Sequence, residues 1–335
     1  MTVLENIVRA LSNPQTYPEL TAKVELAQTQ MSLVFLTDKF VYKIKKPVNL
    51  GYLDYSTLEL RKFYCEQEVK LNQRLCKDIY LRVNIITSDG KNITINGKGK
   101  TIEYAVKMCK LPQDRMMDVL LVKNQVTSDM IERVAEKVAE FHRQTQTSPE
   151  IGKFGSIATI TINTEENFSQ TAGYIGRVVQ QAQFDRIGNY TSDFMINNSA
   201  LFNKRVTQGK IKDCHGDFHA QHICFTNDGI CIYDCIEFND RFRYVDVAAE
   251  VSFLAMDLDH WGHAELSTQF VTAYVEKSGD IDLPKLLNFY KCYFAYVRAK
   301  VNCFKLEAPL VSDPDKEKAM TDAKKYFNLA VSYIK

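Results

Sequence analysis

Long apolar runs, an excess of charge of either sign and paired cysteines are all missing from this sequence of 335 residues. No stretch approaches the ~18 apolar residues that a membrane-spanning helix needs, so no membrane partner is expected. The 42 basic and 41 acidic residues leave a formal net charge of +1, which gives no field to draw nucleic acid or an anionic lipid surface. Nine cysteines are present, an odd number, and none forms a CxxC pair. Reduced thiols in a cytoplasmic protein are therefore expected in preference to a disulfide framework. The N-terminus, MTVLENIVRAL, reads as an amphipathic helix in which Glu5 and Arg9 interrupt any signal-peptide core. Glycine is missing where it would be most telling. Gly99-Lys100-Thr101 resembles the end of a P-loop, but Thr94 stands where the earlier glycine is required, so the segment reads as a turn.

What remains is an ordinary globular composition, 45% hydrophobic and 25% charged, in a chain long enough for two lobes. After the N-terminal helix and a connection containing Pro14 and Pro18, VELAQ, SLVFLT and FVYKIKK alternate apolar and polar residues and read as a three-stranded antiparallel meander. A helix follows from Ser56, with Glu59 three residues on as a capping box. It carries Glu66 and Glu68. LRVNIIT, NITIN and TIEYAVKM supply further strands up to Leu111-Pro112. Beyond that point helices dominate: Ser128–Gln146, 163–183, 192–206, Val245–Asp257, Ala264–Val275, Leu286–Leu306 and Pro314–Tyr333. The division expected is a strand-rich lobe over residues 1–112 and a helical lobe over 113–335.

One hairpin interrupts the helices and gathers the candidate chemistry. CHGDFHAQHICFTNDGICIYDCIEFND, residues 214–240, places Asp217 among His215, His219 and His222, then turns at Asn227-Asp228-Gly229. The return strand leads to Asp234, Glu237, Asn239 and Asp240. A hairpin folds back on itself, so Asp217 and Asp234 are expected at one end. That pattern suits phosphoryl transfer, in which one aspartate orients or deprotonates a hydroxyl and a second holds metal at the phosphates. Lys43 on the third strand and a glutamate on the next helix supply a phosphate contact and its orienting partner. The cysteines at 214, 224, 231 and 235 lack paired spacing and read as core thiols rather than zinc ligands. The basic cluster Lys43, Lys45 and Lys46 reads as part phosphate contact and part solvated strand end.

HGDFHAQHI at 215–223 and IYDCIEF at 232–238 resemble the catalytic and metal-binding motifs of the aminoglycoside phosphotransferase and choline kinase superfamily. VYKIKKP at 41–47 and the helix with Glu66 and Glu68 fall where those kinases keep their lysine and glutamate. Longer passages, SLVFLTDKFVYKIKKPVNLGYLDYSTLELR among them, are similar to a bacterial phosphotransferase-like branch, some members of which are fused to a P-loop ATPase domain. The resemblance spans most of residues 28–306. It implies an α+β, protein-kinase-like fold of two lobes, with a small antiparallel sheet and a mainly helical C-lobe. It implies ATP or another nucleoside triphosphate, with Mg2+ or Mn2+, and a small-molecule acceptor whose hydroxyl is phosphorylated. Asp217 becomes the catalytic aspartate and Asp234 the main metal ligand. Lys43 contacts phosphate and is paired with Glu68 or Glu66, the helical spacing favouring Glu68. The backbone around Lys107, Met108 and Cys109 is the expected adenine hinge, and Ser32 would cover the phosphates. Glu237, Asn239 and Asp240 are expected to meet the acceptor, with Arg298 facing the same pocket, and Asp246 to brace the catalytic loop or begin a helix.

Two departures stand out. The family has asparagine five residues after its catalytic aspartate, and this chain has His222, a poorer partner for oxygen-loving Mg2+. His222 binds metal, or Gln221 or water fills its place, or the protein is a nucleotide-binding pseudokinase with a regulatory role and no turnover. The segment Ala27–Ser32, which would cover the phosphates, contains no glycine. Neither the acceptor nor the oligomeric state is legible.

Overall fold

In the computed structural model, which describes residues 2–309 and 311–334, strands come early and helices follow. Helix α1 (Val3–Leu11) starts at Thr2, whose hydroxyl accepts the Glu5 N–H while the Glu5 carboxylate accepts the Thr2 N–H. Strands β1 (Glu25–Gln28), β2 (Ser32–Leu36) and β3 (Phe40–Lys45) form the expected meander. Helix α2 (Leu58–Asn72) follows, then β4 (Tyr80–Ser88), β5 (Ile93–Ile95) and β6 (Lys100–Cys109). Next come helices α3 (Met117–Val122), α4 (Ser128–Gln144), α5 (Pro149–Gly152), α6 (Ile157–Thr171), α7 (Gln181–Asn197) and α8 (Ser199–Thr207). Strand β7 (Ile211–Asp213) leads to the hairpin β8 (Ile223–Thr226) and β9 (Gly229–Ile232). The chain ends with α9 (Asp240–Arg243), β10 (Tyr244–Asp246), α10 (Val247–His260), α11 (Ala264–Ser278), α12 (Leu283–Glu307) and α13 (Asp313–Ser332).

The chain divides into two units. One comprises residues 1–116 and 222–240, the other 117–221 and 241–335. The hairpin, expected in the helical part, thus belongs with the strand-rich part. Hydrogen bonds explain the placement: Cys224 bridges Met116, and the Cys235 N–H donates to Asn72 Oδ1 at 2.9 Å.

In the first unit six antiparallel strands run in the order β1-β2-β3-β6-β4-β5. Alternation gives the sheet two chemically different faces. Phe35, Tyr42, Ile44, Ile86 and Ala105 are buried in a core with Ile7 and Leu11 of α1. Lys43 and Lys45, on the other face of β3, meet α2. Arg61, Cys65, Glu68 and Asn72 recur on one side of α2 and are buried. The helix starts one residue later than its sequence suggests. Thr57, not Ser56, is its cap, and its hydroxyl accepts the Leu60 N–H.

The second unit packs around α10, which is buried from Val247 to Leu258. Two helices expected at 163–183 and 192–206 are instead three, at 157–171, 181–197 and 199–207. Polar residues at a helical core face (Thr164, Asn167, Thr171) are buried and blur the periodicity there. Asp246 begins α10, its carboxylate accepting the Ala248 N–H at 2.8 Å. The same carboxylate chelates the fully buried Arg205 through Nε at 2.9 Å and Nη2 at 2.6 Å, and Asp280 takes Nη1 at 2.5 Å.

The cysteines are the clearest correction. Cys76 and Cys231 are joined as a disulfide, with Cα atoms 4.8 Å apart and 155 residues between them in sequence. The other seven cysteines are thiols. The fold brings the loop after α2 to β9, a proximity that sequence spacing does not encode.

Candidate active site

In the first unit the hairpin forms with Thr226 opposite Gly229, and the positive φ of the turn falls on Gly229, at 142°. Its return strand delivers Asp234 in an unusual conformation. Asp234 has φ 63°, one of three non-glycine residues in the left-handed region among the described residues. Such a conformation is costly for a residue with a Cβ and marks sites where the surroundings enforce it. The enforcement is visible: the Asp234 N–H donates to the Tyr80 hydroxyl at 3.2 Å, and its carboxylate is 2.7 Å from Lys43 Nζ.

Lys43 also lies 2.9 Å from Glu68. Its amine is thus held between a carboxylate from α2 and one from the hairpin exit. Burial opposes its charge, but Asp234 and Glu68 more than compensate, and the lysine is raised well above its ordinary pKa. Glu68 is likewise lowered, the charges of Lys43 and Lys45 overcoming the cost of burial. Between the two candidate glutamates the geometry selects Glu68. Glu66 is exposed and lies 3.9 Å from Lys62.

Lys45 overturns its reading as a solvated strand end. Only 1% of its side chain is exposed, and its amine donates to Glu68 at 2.6 Å, to Glu237 and to the Tyr55 hydroxyl at 3.4 Å. Glu237, expected to meet an acceptor, is 8% exposed, and its carboxylate also accepts the Tyr55 O–H at 2.5 Å. That carboxylate is engaged inside the sheet unit rather than presented to a substrate. Asn239 donates to the Tyr52 carbonyl at 2.9 Å, and Asp240 is exposed at the first turn of α9. His222 Nε2 lies 3.7 Å from the Asp234 carboxylate.

The nucleotide-facing candidates fare differently. Ser32 is 4% exposed, and its N–H is taken by Thr29 Oγ1 at 3.0 Å. Lys46 braces the same turn, donating to the Thr29 carbonyl at 2.7 Å. Side chains, not glycines, thus shape this loop. Lys107 and Met108 lie inside β6, paired with both β3 and β4. The Lys107 amine is 2.8 Å from Glu19, and the Cys109 N–H donates to the Ile79 carbonyl at 2.9 Å. Sheet pairing thus takes up the backbone as far as Cys109, and the chain leaves the sheet only afterwards.

In the second unit β7 pairs with β10 and runs into the loop bearing Asp217. A buried side chain that sequence reasoning missed organises this loop. Glu250, on α10, accepts the N–H groups of His215 at 2.5 Å and Gly216 at 2.9 Å. Its other oxygen lies 2.5 Å from His142 Nε2, whose Nδ1 is 2.7 Å from the Tyr274 hydroxyl. Burial alone would raise the Glu250 carboxyl, but His142, His215 and the Gly216 amide reverse this and hold it below the usual range. Gly216 adopts φ 87°, which a side chain would resist. Asp217 follows, with its N–H 3.3 Å from His215 Nδ1 and its carboxylate 3.5 Å from His219 Nε2. Asp257 accepts the Ala220 N–H at 2.9 Å, and Arg298 reaches His219 and Gln221 at 3.3 and 3.4 Å. Asp246 caps α10 and binds Arg205, while Glu250, one turn on, grips the loop.

No protein-family model matches the chain. Solved structures do. The GDP complex of aminoglycoside 2'-phosphotransferase-IIIa superposes with a TM-score of 0.56 at 10% identity, covering 96% of this chain and 98% of that one. Choline kinase from Cryptosporidium parvum gives 0.55 at 10% identity, covering 98% and 95%. A choline/ethanolamine kinase family protein from Mesorhizobium loti gives 0.53 at 10% identity, covering 98% of each chain. The fold is that of the aminoglycoside phosphotransferases and choline kinases. It is α+β and kinase-like, as the motifs implied. In sequence, uncharacterized proteins of Mycobacterium tuberculosis strain H37Rv and Mycobacterium bovis are 28% identical over 311 residues, 93% of this chain. This chain spans 60% of the length of those relatives.

Proposed function

We propose that the chain is a phosphotransferase that moves a phosphoryl group from ATP, or another nucleoside triphosphate, to a hydroxyl of a small molecule. The observation that carries this reading is the Lys43 amine held between Glu68 and Asp234, beside an Asp234 in a strained left-handed conformation. A cation so oriented can turn from its carboxylates to phosphate oxygens. The donor set also fits a divalent ion: Asp234 offers a carboxylate 38% exposed, with His222 imidazole nearby. Imidazole is a poor partner for the hard, oxygen-preferring Mg2+, and Mn2+, above Mg2+ in its tolerance of nitrogen ligands, is the ion to test beside it. When bound, such an ion would neutralise charge developing on the phosphates. In the helical unit Asp217 is the base that orients or deprotonates the acceptor hydroxyl, its loop fixed by Glu250. The resemblance in motif order, HGD before an Asp-bearing strand, supports the same roles.

The reading is tested by screening phosphate transfer from ATP with Mn2+ or Mg2+ across alcohols, sugars and amino alcohols. Asp217→Asn should keep nucleotide binding and lose turnover. Undiminished transfer by that variant would remove Asp217 as the base. His222 in place of asparagine favours a second reading, a nucleotide-binding pseudokinase with a regulatory role. Saturable ATP binding with no transfer to any acceptor would support it. No described helix is long and apolar enough to cross a membrane.

A further inference from the structure

Two lysines, not one, meet Glu68. Strand alternation places Lys43 and Lys45 on the same face of β3, and the two oxygens of Glu68 are divided between them, Oε1 to Lys43 and Oε2 to Lys45. Lys45 also reaches Glu237, three residues beyond Asp234, and Tyr55 donates its hydroxyl to the same Glu237 oxygen. The Lys45, Glu68 and Glu237 side chains are each at most 5% exposed. Burial opposes the charge of Lys45, yet Glu237 and Glu68 together raise it above its ordinary pKa. The result is a continuous chain, Glu237–Lys45–Glu68–Lys43–Asp234, that begins and ends on the same hairpin exit and runs from a buried end, where Tyr55 donates to Glu237, to the partly exposed Asp234.

We infer that Lys45 is a positioning residue for the metal and nucleotide site: by binding Glu68 and Glu237 together it sets the aim of Lys43 and the course of the backbone through Asp234. The inference rests on the reading of Lys43 and Asp234 as the phosphate and metal contacts. The physical case is one of alternatives removed. A glutamate held by Lys43 alone could swing about its χ angles, and a buried Glu237 without a cation would be strongly disfavoured. Lys45 closes both freedoms at once. It touches neither substrate nor metal in this scheme. A lysine with a purely structural role could instead be replaced without changing the way metal alters nucleotide affinity.

That difference is the test. ATP affinity is measured calorimetrically with excess Mn2+ and again with EDTA, for the wild type, Lys45→Met, Lys45→Arg, Glu237→Gln and Tyr55→Phe, with a thermal melt of each. The wild type should bind Mn2+·ATP more tightly than free ATP. Lys45→Met should lose at least tenfold in Mn2+·ATP affinity while affinity in EDTA changes less than threefold, with Lys45→Arg recovering part of the loss. If Lys45→Met does not fold, Glu237→Gln and Tyr55→Phe decide, with losses of at least threefold confined to the Mn2+ condition. Folded variants that keep the full metal-dependent gain would overturn the inference and leave the phosphotransferase reading intact. A wild type that binds no ATP in either condition would overturn both.

Discussion

Replacing Glu250 with alanine is expected to be among the more damaging single changes in the helical unit. The Glu250 carboxylate satisfies three groups: the N–H of His215, the N–H of Gly216 and the His142 ring nitrogen. A buried donor left without its acceptor costs about 1–3 kcal/mol. Two stranded amides and the imidazole then give a loss of roughly 3–9 kcal/mol, a large fraction of the ~5–15 kcal/mol that holds a typical domain together. Glutamine retains one carbonyl oxygen but not the charge, so Glu250→Gln should cost about 1–3 kcal/mol by the same reasoning. The pH dependence separates charge from shape. The folded carboxyl lies below its unfolded value of 4.5. Its charge therefore stabilises fully above that value, and the contribution is lost as pH falls through the folded pKa. Urea unfolding at pH 7 and at a series of acid pH values should show the gap between wild type and Glu250→Gln closing below 4.5. A Glu250→Ala protein within ~1 kcal/mol of wild type at pH 7 would show that Glu250 does not hold the Asp217 loop as described.

Other outcomes follow from the same geometry. Arg205→Met would strand Asp246 and Asp280 in the interior and should cost about 3–5 kcal/mol in chemical denaturation; a near-neutral result would mean that the trio of charges is not buried in solution. At Gly155 an added Cβ would run into Cδ1 and Cγ1 of Ile211, on the strand that leads to Asp217, so Gly155→Ala should destabilise by about 1–3 kcal/mol in a melt followed by calorimetry. Lys300 donates to Asn167 at 2.6 Å and Gln170 at 2.9 Å, and burial lowers it to about 8 although Glu166 pulls the other way. Its reductively methylated NMR resonance should titrate near 8, not near 10.5. Because its folded pKa is the lower one, its contribution to stability should rise with pH between those values.

Much of this was legible in the sequence. Alternation in SLVFL and FVYKIK placed the strands and put Lys43 on one face of β3, and helical spacing in α2 distinguished Glu68 from Glu66. The Asn-Asp-Gly turn set the hairpin that carries Asp234. What stayed hidden depended on contacts distant in sequence. Lys45 looked like a solvated strand end because its partners lie 23 and 192 residues away. Glu237 looked available for a substrate for the same reason. Glu250 gave no signal because a lone glutamate in an apolar helix resembles any capping or surface acid until the loop it grips is in place. The Cys76–Cys231 pair carried no spacing motif, and strand patterning did not show that Lys107 and Met108 stay paired on both sides within β6.

The central claim is that Lys43 and Asp234 hold a nucleoside triphosphate with its metal. It is met most directly by titrating ATP into the protein with Mn2+ and into Asp234→Asn under the same conditions. The account predicts saturable binding by the wild type and a loss of at least tenfold in the variant, all of it in the metal-dependent part. Equal affinity of the two proteins for Mn2+·ATP would contradict it.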